Sequence, residues 1–302
     1  MTGEVDVIAL GETMLSVVAS DAPLSEASRF HVTHGGAESN VCVGLVRCGV
    51  RAAWISALGD DPVGDRVYRA LAREGVDLRW VRRDPDRQTG LMLRDAAGTV
   101  RYYRTGSAAS AMSPSDLDGV PVEGARAVFV TAITAMIGAD PGRAALELLR
   151  RGRGLRVVDM NLRPRLWGSD RASELVTPLV AAADVVLGGE HELQLFAPGL
   201  EGRDLAAGIE ELGPREVVIK RGSRGAGALD VDGRWVEHAP PGRPDVDPVG
   251  AGDAFDAGYL AIRLEGGSIE EALALGAACG AAVASSVGDT EGFPRRESMT
   301  PT

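Results

Sequence analysis

Asp247-Pro248-Val249-Gly250-Ala251-Gly252-Asp253-Ala254-Phe255, running on into Asp256-Ala257-Gly258-Tyr259-Leu260-Ala261, is the most informative stretch of the chain. Its second half reads as a helix. Glycines just ahead of a helix let the main chain approach an anion closely, and the unpaired N–H groups of the first turn point at it with the positive end of the helix dipole behind them. Gly250, Ala251 and Gly252 therefore form a candidate phosphate seat. Asp253 stands at the helix opening, where its carboxylate either caps backbone donors or faces a bound hydroxyl as a base. A purely structural turn stays open on this segment alone. Two commoner phosphate loops do not fit: a P-loop needs a lysine after its last glycine, whereas Lys220, the only lysine, lies on a predicted strand elsewhere. A dinucleotide fingerprint wants a third glycine where Phe255 stands and should follow the first strand of a βαβ unit.

Outward from this segment, short β-branched runs alternate with longer amphipathic stretches, the pattern of a largely parallel sheet covered by helices on both faces. The runs Val5–Leu10, Ala53–Ala57, Ala127–Val130, Arg156–Asp159, Val185–Leu187 and Val217–Lys220 predict strands. Asp61-Pro62 is a cap followed by proline at the first helical position, so Val63 to Glu74 reads as helix with Gly75 as its left-handed stop. Ser268-Ile269-Glu270-Glu271 is a capping box opening an Ala-rich helix expected to run to about Val287. Leu15–Val18 with Phe30–Thr33, and Gly90–Arg94 with Val100–Arg104 around a turn at Asp95-Ala96-Ala97-Gly98, read as short strands outside the βα rhythm. Clustered strands of this kind predict a small β-sheet projecting from the main body, as a lid over a site, a contact between two copies, or both.

Bulk properties narrow the function. The chain has 302 residues, 45% hydrophobic and 25% charged, enough for a substantial core and ordinary for a globular fold. A formal net charge of -11 without any basic block argues against a nucleic-acid surface, yet a small anionic ligand needs only local donors. Cys42, Cys48 and Cys279 have neither disulfide nor zinc spacing and read as buried thiols. The start carries Glu4 and Asp6 where a signal peptide needs a basic region, and no uncharged stretch reaches membrane-spanning length, so a cytoplasmic protein is expected. His31, His34, His191 and His238 show no metal-ligand spacing, although His34, beside Gly35-Gly36, can reach a substrate.

The segment around Asp253 closely resembles the C-terminal signature of the ribokinase/PfkB sugar kinases. The family's N-terminal signature is visible too, as Gly35-Gly36-Ala37-Glu38-Ser39-Asn40 with Leu45 to Gly49, then Ala57-Leu58-Gly59-Asp60-Asp61-Pro62-Val63-Gly64. Smaller matches resemble the 2-keto-3-deoxygluconate kinases in particular: Tyr102-Tyr103-Arg104 running into Gly106-Ser107-Ala108, Asp159-Met160-Asn161-Leu162-Arg163 with Leu166-Trp167, and Gly288-Asp289-Thr290-Glu291-Gly292. The resemblance implies a ribokinase-like three-layer α/β/α sandwich with a mostly parallel central sheet, one domain over residues 1–302, and a small β lid from residues 12–34 and 88–106.

It further implies transfer of the γ-phosphoryl group of ATP, with Mg²⁺, to the terminal hydroxyl of an acidic keto sugar, with Asp253 as base. Expected at the sugar are Gly35, Gly36, Ala37, Asn40, Tyr102, Tyr103, Arg104, Arg163 and Asp289. Arg104 and Arg163 offer forked donors for a carboxylate, and Asn40 offers both a donor and an acceptor. Expected at the nucleotide are Asn161 and the glycine-rich turn Lys220, Gly222, Ser223, Gly225 and Gly227, whose plainer reading is a hairpin. Glu192 is expected to serve Mg²⁺ through water, and a monovalent cation stays open. Met92, Thr105, Gly189 and Ala277 depart from the family pattern, which leaves a neutral-sugar kinase such as a fructokinase, or an inactive sugar sensor, as rivals. A homo-oligomer joined through the lid, with no nucleic acid or membrane partner, completes the expectation.

Overall fold

The computed structural model describes residues 5–95, 99–162, 169–239, 242 and 246–296. Its first half runs β1 (Val7–Leu10), β2 (Met14–Ala19), β3 (Phe30–Gly35), α1 (Ala37–Arg47), β4 (Ala52–Gly59), α2 (Pro62–Arg73), β5 (Val81–Asp84), β6 (Leu91–Asp95), β7 (Val100–Tyr103), β8 (Ala127–Thr131), α3 (Ala132–Met136) and α4 (Ala139–Arg151). The second runs β9 (Leu155–Asp159), α5 (Ser169–Ala182), β10 (Val185–Gly189), α6 (Glu190–Leu193), α7 (Gly202–Glu210), β11 (Glu216–Lys220), β12 (Ala226–Leu229), β13 (Trp235–His238), α8 (Ala251–Glu265) and α9 (Ile269–Ala284).

Nine strands form one sheet in the order β13-β12-β11-β10-β9-β8-β1-β4-β5. All its pairs are parallel except β11 with β12 and β12 with β13. The central strands are apolar throughout because both faces are covered: Val7, Ile8, Ala9 and Leu10 of β1 are all buried. Alternate residues feed two separate cores. Ile8 and Leu10 join Ile55, Val128 and Val158 against Leu148, Leu149, Val176 and Leu205 of α4, α5 and α7. Val7 and Ala9 join Trp54, Phe129 and Val218 against Leu45, Leu71, Tyr259 and Leu273 of α1, α2, α8 and α9. The result is a three-layer α/β/α sandwich, the covered parallel sheet expected from the alternation and the architecture that the resemblance implies.

Local signals acted as read. The Asp61 carboxylate accepts the Gly64 N–H at 2.6 Å to start α2, and Gly75 takes φ 85° just past its end. Ser268 and Glu271 form the reciprocal cap of α9, which stops at Ala284, a turn short of the expected Val287, with Ser285 and Ser286 hydroxyls bonded back to the carbonyls of Ala281 and Val283. All three cysteines are free and buried. No described helix is long and apolar enough to cross a membrane.

The remaining strands form the predicted small sheet, in the order β3-β2-β6-β7. Its register places Ser16 opposite both Thr33 and Met92, and Met92 opposite Tyr102. One face, carrying Met14, Gly35, Met92 and Tyr102, turns to the carboxyl ends of the large sheet's strands. Residues 96–98 of the predicted turn lie outside the described residues.

Candidate active site

Ligands of open α/β sheets bind beyond the carboxyl ends of the strands. Here Asp159, Gly189 and Lys220 end β9, β10 and β11, and the first turn of α8 is set down in front of them. Two adjoining clefts result. The first, of about 520 Å³, lies under the small sheet and is lined by Glu12, Asn40, Tyr102, Arg104, Asp253 and Asp289 among others. The second, of about 230 Å³, lies between the turn after β11 and the α8–α9 pair, lined by Gly222, Ser223, Gly225, Phe255, Ala277 and Gly280 among others. Lys220, Gly222, Pro248, Ala251 and Gly252 belong to both walls, so the start of α8 is where the two clefts meet.

Gly250 caps α8 at φ 82°, the left-handed region that favours glycine, and a Cβ there would lie 2.1 Å from the Asp289 carbonyl oxygen. Among the described residues the N–H groups of Gly250, Gly252 and Asp253 make no hydrogen bond, so they are available to an anion, whereas the Ala251 N–H donates to the Pro248 carbonyl at 3.2 Å. The free donors of this turn are therefore those of Gly250, Gly252 and Asp253, with Ala251 tied into the turn.

Asp253 is only 7% exposed. Asn40 Nδ2 donates to its Oδ2 at 2.7 Å and Asn161 Nδ2 to its Oδ1 at 3.3 Å. Burial pushes the Asp253 carboxyl up to about 7; Asn40 and Lys220 pull it down, while Asp159 and Asp289 push it further up. A carboxyl raised in this way is suited to accepting a proton, and it does not cap α8, whose N-cap is Gly250 with no side-chain cap bond. Asn40 Oδ1 is buried without a partner, leaving an acceptor on the same wall. Asn161 is held at φ 31°, the one non-glycine with positive φ among the described residues, and that backbone strain aims its amide at Asp253.

Beneath this turn lies a buried charge cluster. Lys220 Nζ donates to Asp159 Oδ1 at 2.8 Å and to the two oxygens of Asp256 at 2.9 and 3.1 Å. Burial alone would lower the ammonium, but Asp159, Asp256 and Glu192 outweigh it and hold Lys220 well above an ordinary lysine. Burial, and then the neighbouring Asp159, push Asp256 up against the pull of Lys220. One oxygen each of Asp159, Asp253 and Asp256 lies within 4.8 Å of the others, but two of the three carboxylates, Asp159 and Asp256, are already bonded to the Lys220 ammonium. Mg²⁺ keeps several waters and prefers one or two carboxylates. Glu192, the carboxylate expected to serve Mg²⁺ through water, lines the cleft while its Oε2 accepts the Gly189 N–H at 2.7 Å.

The small sheet supplies the roof. Arg104 lines the first cleft and makes an ion pair with Glu12, whose other oxygen accepts from Ser107 Oγ at 2.6 Å. Arg94 is buried and reaches Asp247 and Asp289. Burial pushes the Asp289 carboxyl up to about 6, against the pull of Arg94. Gly35 is required because a Cβ there would sit 2.4 Å from Asp289 Oδ2.

Gly35, Gly36, Ala37, Asn40, Tyr102, Arg104 and Asp289 thus line the first cleft, as does Asn161, whose amide stands at Asp253. Tyr103 is a correction: strand alternation turns it to the outer face, 61% exposed, away from the cleft. Gly227 is another, because it lies in β12 with the Trp235 ring pressed where a Cβ would go. The turn before it is both the predicted hairpin and the wall of the second cleft. His34 faces α2, outside the site, and Arg163 lies outside the described residues. Sequence reasoning missed Glu12, Arg94 and Asp256; a charge three residues past Asp253 in an otherwise apolar helix was the available signal for the last.

The profile of the pfkB family carbohydrate kinases matches residues 5–296. A 2-dehydro-3-deoxygluconokinase of Bacillus subtilis is 32% identical over 313 residues, covering 98% of this chain and 94% of the relative. A PfkB protein from a Polaromonas species has a similar structure, with TM-score 0.87, 33% identity, and coverage of 98% of this chain and 99% of that one. A ribokinase-type protein of E. coli solved with ATP and Mg²⁺ has TM-score 0.90 over 97% of both chains, at 24% identity a likeness of fold alone. With that profile spanning nearly the whole sequence and the signature turn folded around Asp253, this chain belongs to the pfkB family of carbohydrate kinases.

Proposed function

We propose that the chain transfers the γ-phosphoryl group of ATP to the terminal hydroxyl of an acidic keto sugar, 2-keto-3-deoxygluconate, with Asp253 as base. The observation that carries this reading is the place of Asp253: a buried carboxyl, pushed up to about 7 by its burial, beside the turn where a sugar-sized cleft and a second cleft meet. The sugar lies in the first cleft, its hydroxyl against Asp253 and a second hydroxyl on Asn40. The nucleotide lies in the second, with Ala277, Gly280 and Ala281 as a flat apolar floor for a base and its phosphates directed to the N–H groups of Gly250, Gly252 and Asp253. The acceptor oxygen forms its bond to the γ-phosphorus as the bond to ADP breaks, and its proton passes to Asp253. Positioning and electrostatics carry most of such a rate. Mg²⁺, held through water by Glu192, would neutralise phosphate charge.

The sequence relationship to 2-dehydro-3-deoxygluconokinases supports the acidic substrate. One observation favours a neutral sugar instead: Glu12 already pairs with Arg104, which weakens it as a carboxylate clamp. A coupled ADP assay over 2-keto-3-deoxygluconate, 2-keto-3-deoxygalactonate, fructose and ribose separates the two. The acidic reading predicts the highest kcat/KM with a keto sugar acid, and clear preference for fructose or ribose overturns it. The outer face of the small sheet, with Phe30 and Tyr103 exposed beside the half-buried Leu15, Leu91 and Leu93, supports association of two copies there.

A further inference from the structure

Arg94 has no part in the chemistry just described, yet it is the most deeply buried arginine of the small sheet, 4% exposed. It follows Met92 by two residues in β6 and so shares the face that roofs the first cleft. Its two terminal nitrogens reach different parts of the main body: Nη1 donates to Asp247 Oδ2 at 2.6 Å and Nη2 to Asp289 Oδ1 at 3.1 Å. Both residues touch the turn before α8, Asp247 through its carboxylate and Asp289 through its main chain. Asp247 Oδ1 accepts the Val249 N–H at 3.2 Å, one residue before Gly250, while Asp247 Oδ2 also accepts the Gly288 N–H at 3.3 Å. The Asp289 carbonyl abuts Gly250 so closely that no Cβ fits between them.

We propose that Arg94 is a positioning residue, a latch by which the small sheet closes the sugar cleft and in the same movement fixes the turn that seats the transferring phosphoryl group. The inference rests on reading Gly250–Asp253 as the phosphoryl-transfer site. Lifting the sheet requires separating a buried guanidinium from two carboxylates, which leaves all three charges uncompensated. Without the latch the roof opens, water enters, and the γ-phosphoryl group passes to a water oxygen in place of the sugar oxygen, giving ADP and inorganic phosphate.

The test compares Arg94→Met and Arg94→Lys with the parent, using ATP with 2-keto-3-deoxygluconate and, in parallel, with fructose, and quantifying ADP and phosphorylated sugar separately. Misplacement by an ångström costs on the order of 100-fold, so Arg94→Met should lose about that much kcat/KM for the sugar, keep KM for ATP within about threefold, and form ADP in excess of phosphosugar. Arg94→Lys reaches one carboxylate at a time and should lie between, and it carries the test if the methionine variant does not fold. A variant with parental kcat/KM, or one that weakens sugar and ATP alike while ADP and phosphosugar stay one to one, overturns the latch. Asp253→Asn in the same assay separates the failures: parental turnover there refutes the site itself, whereas its collapse beside a parental Arg94→Met refutes only the latch.

Discussion

Replacing Lys220 with methionine removes the cation from a group of buried carboxylates and so measures what the charge cluster contributes. Asp159 and Asp256 have side chains 1% and 0% exposed, and both take their hydrogen bonds from the same ammonium. Breaking a buried pair by deleting one partner typically costs about 3–5 kcal/mol, and because two acceptors lose one shared donor, the upper end is expected. The loss depends on pH. With its partner gone, Asp256, already raised by burial and by Asp159, rises further above its unfolded value of 3.8. A group whose folded pKa is raised holds its proton in the folded state after the unfolded chain has released it, so stability falls as pH climbs above the unfolded value. The deficit of Lys220→Met should therefore be small near pH 4 and largest above neutrality. Urea unfolding at pH 5 and pH 8 measures this, and Lys220→Met/Asp256→Asn, which removes one orphaned carboxylate, should recover a good part of the loss. Lys220 also pulls the Asp253 carboxyl down, so its removal should carry the acid limb of the pH–rate profile upward. A single variant within about 1 kcal/mol of the parent at pH 8, with no gain in the double variant, would show that the cluster is not the electrostatic unit described.

Further expectations follow from the same geometry. Gly250→Ala meets both a φ of 82° and a contact of 2.1 Å to the Asp289 carbonyl, so it should destabilise the fold and abolish turnover together, measured by thermal unfolding and initial rates. The kcat/KM of the parent should rise about tenfold per pH unit on the acid side and level off above a pH of about 7 as Asp253 loses its proton; a flat profile from pH 5 to 8 contradicts that assignment. Tyr103→Ser changes only the outer face of the small sheet and should leave sugar KM unchanged, while gel filtration reports whether association of copies weakens.

Much of this architecture is legible in the chain because its signals are local. The caps at Asp61 and Ser268, the apolar runs of the central strands, and the glycines before Asp253 each state a backbone requirement within a few residues. The edge strand β5 is not legible: Val-Arg-Arg-Asp has no apolar face, and only Asp84 is buried. Asn40, Asp253 and Asp289 were found through motifs, each held by neighbours one motif knows nothing of. The partners that tune them come from far along the chain: Arg94 meets Asp289 across 195 residues, and Lys220 meets Asp159 across 61. Arg104 shows the limit most clearly. Its residue type suggested a free carboxylate clamp, and only the fold brings Glu12 onto it. Tyr102 and Tyr103 look equivalent in sequence, but the strand's two-residue period sends one into the cleft and the other to solvent.

The role of Asp253 is tested most directly by Asp253→Asn, with phosphosugar formation measured under saturating ATP and sugar affinity measured separately by equilibrium titration. General-base assistance is worth about 10²–10⁴-fold, so turnover should fall by roughly 10³-fold while sugar affinity stays within a few-fold of the parent. Turnover within about tenfold of the parent would contradict it and move the proton acceptor elsewhere.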